Sequence, residues 1–480
     1  MALEPIAAEK RHTEFLRAPV RRFLRRLGRR RETARRRREH GALLAELSAA
    51  ASASVATQAA PRLLAIGAWA FPVYSQSFVY QELSALVAAG FDVRLACTEC
   101  GEPAALPPQC APLAGRALRL PGERAITRRD LAHFRRTRPA GVARVLALLA
   151  EAGGRTEREL LADGHVLRGF SLARIAEAWR ADLVHSYFFY EGSLAAFVVQ
   201  QLLGLPRSVT CYADHRLDDY PLKLVSEQLA RADLVVATSE RARRELTAMA
   251  PACAPRTIVK PNAVDGRFFA PVARAEPPAG APFRLLSVAR IDPKKGLRDL
   301  LAAAAELRRQ GVPFRLDLVG GAEPGSPSGT EEEAALRATI ARLKLEDLVT
   351  LRGFLPADGV RAALATAHLF VAPYVETEGG DKDGIPTAVL EAMATGLPVV
   401  ATRSGALPEV LTEGVDGRLV SAAAPAELAA AVAALLAVPG ERARLGGAAA
   451  RTVRERFEIG VCEPELARRL GALASGSPGG

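Results

Sequence analysis

Short apolar runs separated by helix-length stretches recur along most of the chain, and this rhythm limits the fold more than any other feature. RLLAIG (62–67), FDVRLAC (91–97), ADLVHSY (181–187), RSVTCY (207–212), ADLVVATS (232–239) and TIVKPN (257–262) form one series. FRLLSVA (283–289), FRLDLVG (314–320), LVTLRG (348–353), LFVAP (369–373) and PVVAT (398–402) form another. Runs of this kind read as strands buried on both faces, and helical spacers between them impose parallel pairing. The Pro- and Ala-rich ARAEPPAGAP (273–282) interrupts the series once. The expectation is an α/β protein of two Rossmann-like domains whose parallel sheets face an interdomain cleft. Residues 56–272 make the first domain and 283–454 the second, with a helix near 455–472 returning to the first. A length of 480 residues exceeds one hydrophobic core, in keeping with two.

Charge is concentrated outside these domains, in a basic arm over 1–55. Residues 11–40 hold thirteen Arg and three Glu, which is +10 of the chain's +11. Within the arm Val20, Phe23, Leu24 and Leu27 recur at helical spacing behind Pro19, with arginines between them. This pattern reads as a short amphipathic helix able to lie on an anionic membrane surface; a solvated, disordered arm and a nucleic-acid-binding arm are the alternatives. The nearly neutral remainder argues against a nucleic-acid enzyme. No transmembrane run and no apolar signal segment are expected, and six cysteines in so long a chain are not a disulfide framework. The expected place is the cytoplasm, or the cytoplasmic face of a membrane through the arm. Cys97 and Cys100 form a C-x-x-C with Cys110 beyond, but a fourth ligand at zinc spacing is missing. The tail 473–480 reads as disordered.

Three clusters in the second half carry chemistry. In VARIDPKKGLRDLL (288–301) a strand ends at Arg290, and Lys294, Lys295 and Gly296 precede a helix. Cations beside a helix N-terminus suit a diphosphate. In ETEGGDKDGIPTAVLEAM (376–393), Gly384 permits close ligand approach, Pro386 fits a first helical position, and Glu391 falls about one turn into the helix among Ala and Leu. A carboxylate there is paired or held for a ligand. Asp383 and Glu391 can hold an elongated polyhydroxyl ligand, act as an acid–base pair, or, for Asp381 with Asp383, supply part of a metal shell. The third cluster, ATRSGALPEVLTEGVDGRLV (401–420), turns at Ser404 and Gly405 and starts a helix at Pro408 and Glu409.

These clusters, in this order, resemble the retaining glycosyltransferases of family 4, the group 1 glycosyltransferases, which have the GT-B fold. The counterparts are Arg290 with Lys295 and Gly296, Asp383-x7-Glu391 in DGIPTAVLEAMATG, and Gly405 to Glu409. The resemblance covers roughly 60–470. It implies that Arg290 and Lys295 neutralise a donor diphosphate, that Glu391 holds donor ribose hydroxyls, and that Asp383 lies near the transferred sugar. Gly384, Ile385, Pro386, Ser404 and Gly405 would complete the donor site. A nucleotide-diphosphate sugar would be the co-substrate, with no metal and no permanently bound cofactor.

The first half resembles a subgroup linked to exopolysaccharide and capsule synthesis through FPVYSQSFVYQEL (71–83), which would set Ser75, Gln76 and Ser77 at a helix start facing the cleft. VHSYFF (184–189) is similar to the family's His-x-His-Phe strand and offers His185 as a cleft residue. In CYADHRLDDYP (211–221) Tyr212 stands where the family has a histidine, and His215 follows with Asp218 nearby; these would serve a glycan or glycolipid acceptor. The expected function is hexosyl transfer with retention to such an acceptor. A non-catalytic sugar-nucleotide or glycan-binding protein and a sugar-nucleotide epimerase are the alternatives.

Overall fold

The computed structural model describes residues 31–53, 60–67, 70–71, 73, 76–100, 108–212, 220, 222–278, 280–323 and 327–476. Ser75, His215, Asp218, the stripe at 20–27 and the tail beyond 476 lie outside the described residues.

Each series of apolar runs becomes one parallel sheet. The first contains β1 (Arg62–Ile66), β2 (Asp92–Cys97), β3 (Ala117–Arg119), β4 (Leu183–Tyr187), β5 (Arg207–Cys211), β6 (Leu234–Ala237) and β7 (Thr257–Val259), in the spatial order β3-β2-β1-β4-β5-β6-β7. The second contains β8 (Phe283–Val288), β9 (Phe314–Val319), β10 (Val349–Gly353), β11 (Leu369–Ala372), β12 (Val399–Thr402) and β13 (Arg418–Val420), ordered β10-β9-β8-β11-β12-β13. All neighbours pair in parallel. Strands such as β1, β4, β5, β11 and β12 are buried at every residue, which is why their sequences do not alternate. Order reverses between β1 and β4 and again between β8 and β11. A crevice opens beyond the carboxyl ends of the strands at each such reversal. The edge strands β3 and β13 were not legible in sequence, because ALR and RLV are three residues long and carry arginine.

Residues 123–180 form helices that cover the first sheet, including Arg124–Thr137, Pro139–Gly153 and Gly164–Trp179. Phe134, Leu149, Phe170 and Trp179 fill the layer beneath them. Residues 31–53 are also helical and pack on this domain. Leu47 and Ala51 are buried, and His40 Nε2 lies 3.1 Å from the Asp130 carboxylate. That part of the basic arm is thus attached to the domain through its few apolar side chains. Among the described residues no helix is long and apolar enough to cross a membrane.

The chain passes between the domains twice, and the two crossings are bonded together. Val264 N–H donates to Phe457 O at 2.9 Å, and Ile459 N–H donates to Val264 O at 3.2 Å. The helix Ile459–Ala474 then lies against the helix Ser77–Ala88, burying Leu466 and Leu470 in the first domain's core. Beneath them sits a charged cluster. Lys260 Nζ is 2.5 Å from Glu82 and 2.8 Å from Glu463. Tyr187 Oη donates to Glu82 at 2.7 Å, and His185 Nε2 lies 3.4 Å from the same carboxylate.

Candidate active site

The two crevices face each other across one cleft of about 800 Å³. From the second domain come Arg290, two residues past β8, and the turn Pro293–Lys295 that leads into the helix Leu297–Arg309. Gly296 at φ +61° joins them, and a Cβ there would overlap the Pro373 carbonyl at the end of β11. Glycine is what lets the lysines approach that strand end. Beyond β11 the chain supplies Tyr374, Asp383, Gly384, Ile385 and Pro386, and the helix Thr387–Ala394 carries Glu391. Pro386 stands at the cap, one position before the place expected, and caps nothing with its side chain. Val389 and Leu390 N–H both bond Pro386 O, so Thr387 and Ala388, which line the cleft, present N–H groups outside the helical ladder.

Charges alternate through this site. Lys295 Nζ contacts the Asp383 carboxylate and lies 4.3 Å from the centre of the Tyr374 ring. Lys294 Nζ is 3.0 Å from Asp381 and 4.0 Å from Asp383. Arg290 reaches Glu323 at 3.0 Å and Asp292 at 3.8 Å. Burial alone would raise the Asp383 carboxyl, but Lys295, with Lys294 and Arg290, holds it below the ordinary carboxylate range. Glu391 has no such partner: burial pushes it up to about 7, and its carboxylate has no hydrogen bond among the described residues. Asp381 and Asp383 face lysines, and among the described residues no three His, Cys, Asp or Glu side chains are grouped to hold a metal. Cys97 and Cys100 Sγ are 2.6 Å apart, while Cys110 is buried.

The Asp383 loop is held from both sides. Gly405, at φ +57°, packs so closely on the Asp383 carbonyl that any Cβ would overlap it. Ser404 is buried, its Oγ has no hydrogen-bond partner among the described residues, and neither residue is among those that line the cleft. Gly405 therefore backs the loop from behind. From the first domain, Arg241 Nη2 donates to Asp383 O at 2.8 Å and Asn262 Nδ2 donates to Ile385 O at 2.7 Å. Glu409 accepts from Glu240 N–H at 2.7 Å and Arg241 N–H at 2.8 Å, capping a helix of the opposite domain. The Pro-Glu of the third cluster thus bridges the domains.

On the first domain's wall, Gln76, Ser77 and Tyr212 line the cleft. Tyr212 is packed between Phe78 at 4.7 Å and Phe188 at 4.6 Å, and Phe188 stacks on Tyr190 at 5.3 Å. His185 is a correction. It is fully buried within β4, with Nδ1 2.5 Å from Ser208 Oγ and Nε2 3.1 Å from Thr210 Oγ1, and it does not reach the cleft. It belongs to the cluster under the C-terminal helix, because that helix and Ser77–Ala88 cover its face of the sheet. Tyr374 was not anticipated, although its place just past β11 at a strand-order reversal was a usable signal. Arg168, on the helix Gly164–Trp179, also lines the cleft and had no signal in sequence.

Comparison with known proteins agrees with this architecture. Residues 282–438 match the family described as glycosyl transferases group 1, and residues 75–268 match glycosyltransferase family 4. WcaL of Escherichia coli K12, a glycosyltransferase assigned provisionally to colanic acid biosynthesis, is 30% identical over 417 residues, spanning 84% of this chain and 98% of that protein. Its Salmonella typhimurium counterpart is 34% identical over 273 residues, 55% of this chain and 63% of that one. Among solved structures, sucrose-phosphate synthase from Thermosynechococcus elongatus superposes with a TM-score of 0.66 at 21% identity over 87% of this chain and all of that one. Anabaena HepE, solved with UDP-glucose, gives 0.62 at 17% identity over 86% and 99%. The chain belongs to the group 1, family 4 glycosyltransferases and has the GT-B fold.

Proposed function

We propose that this enzyme transfers a sugar, with retention, from a nucleoside-diphosphate sugar to a hydroxyl of a glycan or lipid-linked glycan in surface polysaccharide synthesis. The observation that carries the donor reading is the grouping of Arg290, Lys294 and Lys295 with an unpartnered, buried Glu391 at one strand-order reversal. Cations there meet a diphosphate, and a lone carboxylate meets ribose hydroxyls. The polysaccharide reading is supported by the match to WcaL along nearly its whole length.

In this scheme the bond from the anomeric carbon to the diphosphate oxygen breaks while the bond to the acceptor oxygen forms on the same face. The departing phosphate oxygen takes the acceptor's proton. Arg290, Lys294 and Lys295 stabilise the charge that develops on the leaving group. Lys295 must turn from Asp383 to do so, which frees that carboxylate for hydroxyls of the transferred sugar. Closure of the domains limits water.

Nucleotide release tests this reading, measured over a panel of nucleotide sugars with lipid-linked acceptors. A protein that binds donors yet turns over with no acceptor overturns it. The carboxylate role makes a further demand on pH. Because Glu391 is protonated below about 7, donor affinity should weaken by about tenfold from pH 8 to pH 6. Glu391→Gln should remove that dependence; an unchanged pH profile in the variant rejects the ribose role.

The arm adds a second element. Its arginines and the 20–27 stripe support attachment to an anionic membrane surface. Deleting residues 1–30 leaves the packed helix intact, and this truncation should lose flotation with phosphatidylglycerol liposomes. Equal flotation of the full and truncated chains rejects the idea.

A further inference from the structure

Four Lys or Arg side chains line the cleft among the described residues, and three already have carboxylate partners. Arg290 has Glu323, Lys294 has Asp381 and Lys295 has Asp383. Arg168 has none. It projects from the first domain, on the wall opposite the donor cations, and among the described residues its only hydrogen bond is from Nη1 to His165 Nδ1 at 3.3 Å. Its Nε is buried without an acceptor among the described residues. Its Nη2 lies over Gly122, where a Cβ would come within 3.0 Å of it.

The side chain is also firmly based. Asp163 caps its helix by accepting from His165 N–H at 2.7 Å, and at the next residue Gly169 packs against Val198, where a Cβ would be 2.7 Å away. A guanidinium fixed in this way, partly desolvated and without a counter-charge among the described residues, has hydrogen-bonding capacity that a ligand can use. Its planar fork matches the paired oxygens of a carboxylate or phosphoryl group. The aromatic row Phe78, Tyr212, Phe188 and Tyr190 lines the same cleft and offers apolar faces to a sugar ring.

We propose that the acceptor is anionic: it bears a carboxylate or phosphoryl group held by Arg168, while its sugar packs on the aromatic row. This rests on the transfer reading above. The probes are octyl phosphate, octyl β-glucuronide and octyl β-glucoside, titrated into protein saturated with UDP or GDP, whichever gives the larger thermal shift. Saturation keeps the probes from the donor cations.

At least one charged probe should bind roughly tenfold or more tightly than the neutral glucoside. Arg168→Gln should erase that ratio without changing nucleotide affinity, and Arg168→Lys should retain part of it. Preference for the phosphate identifies a phosphoryl acceptor, and preference for the glucuronide identifies an acidic sugar. Equal binding of charged and neutral probes, failure of all three to bind, or an unchanged ratio in Arg168→Gln overturns the proposal. Failure of the donor reading looks different: wild type would bind neither nucleotide.

Discussion

Replacing Lys295 with alanine should lower kcat/KM for the donor by about 10²- to 10³-fold, the usual cost of removing one preorganised charge donor from a transition state. The loss should fall on kcat as well as on donor affinity, because the charge on the departing diphosphate grows as the bond breaks. Two effects are mixed in this variant. Lys295 contacts Asp383, so its removal also leaves a buried carboxylate without its main cation. The double variant Lys295→Ala with Asp383→Asn separates them. It should recover the unfolding temperature of wild type, since the stranded charge is gone, yet stay slow. A Lys295→Ala enzyme within about fivefold of wild type would remove this lysine from the catalytic account.

The pairing explains why the site can be poised without donor. Lys294 and Lys295 are each held by an aspartate of the same loop, and that loop is in turn gripped by Arg241 and Asn262 of the first domain. On the proposed reading a donor diphosphate would compete for the lysines, while the backbone contacts to Asp383 and Ile385 involve no charge that it would displace. The loop can therefore exchange side-chain partners while the domains stay joined through it. Glu409, capping Glu240–Met249, adds a third tie.

Much of this was legible because it is local. The strands follow from apolar runs, and Arg290, Lys295, Asp383 and Glu391 stand where the order of strands leaves crevices. What could not be read is what faces what. Asp383 is paired with a lysine 88 residues earlier, and Gly405 matters because a distant carbonyl presses on it. His185 looked like a cleft residue because VHSYFF is similar to the family's His-x-His-Phe strand. Its side chain points to the face covered by two helices, one of them from the far end of the chain, and no period within VHSYFF records that cover. Arg168 was silent for a related reason: only the assembled cleft distinguishes a lone arginine from the many paired ones.

The buried cluster that claims His185 carries the largest expected stability effect. Lys260 serves two carboxylates. Burial would raise Glu82, but Lys260 and His185 hold it low, whereas burial together with repulsion from Glu82 pushes Glu463 up to about 7 despite Lys260. Lys260→Met leaves both acids buried without their cation, which should cost about 3–5 kcal/mol. The sign of the pH dependence follows. Without the lysine both carboxyls have folded pKa values above their unfolded ones, so stability is retained at low pH and lost as pH rises through the folded values. The destabilisation should therefore be larger at pH 8 than at pH 5 in thermal melts. Hydrogen exchange should rise in Ile459–Ala474, the helix that Glu463 anchors to the first domain, before it rises in β8 or β11. A uniform rise across both domains, or a pH-independent loss, would mean that the lysine acts through packing and not through its charge.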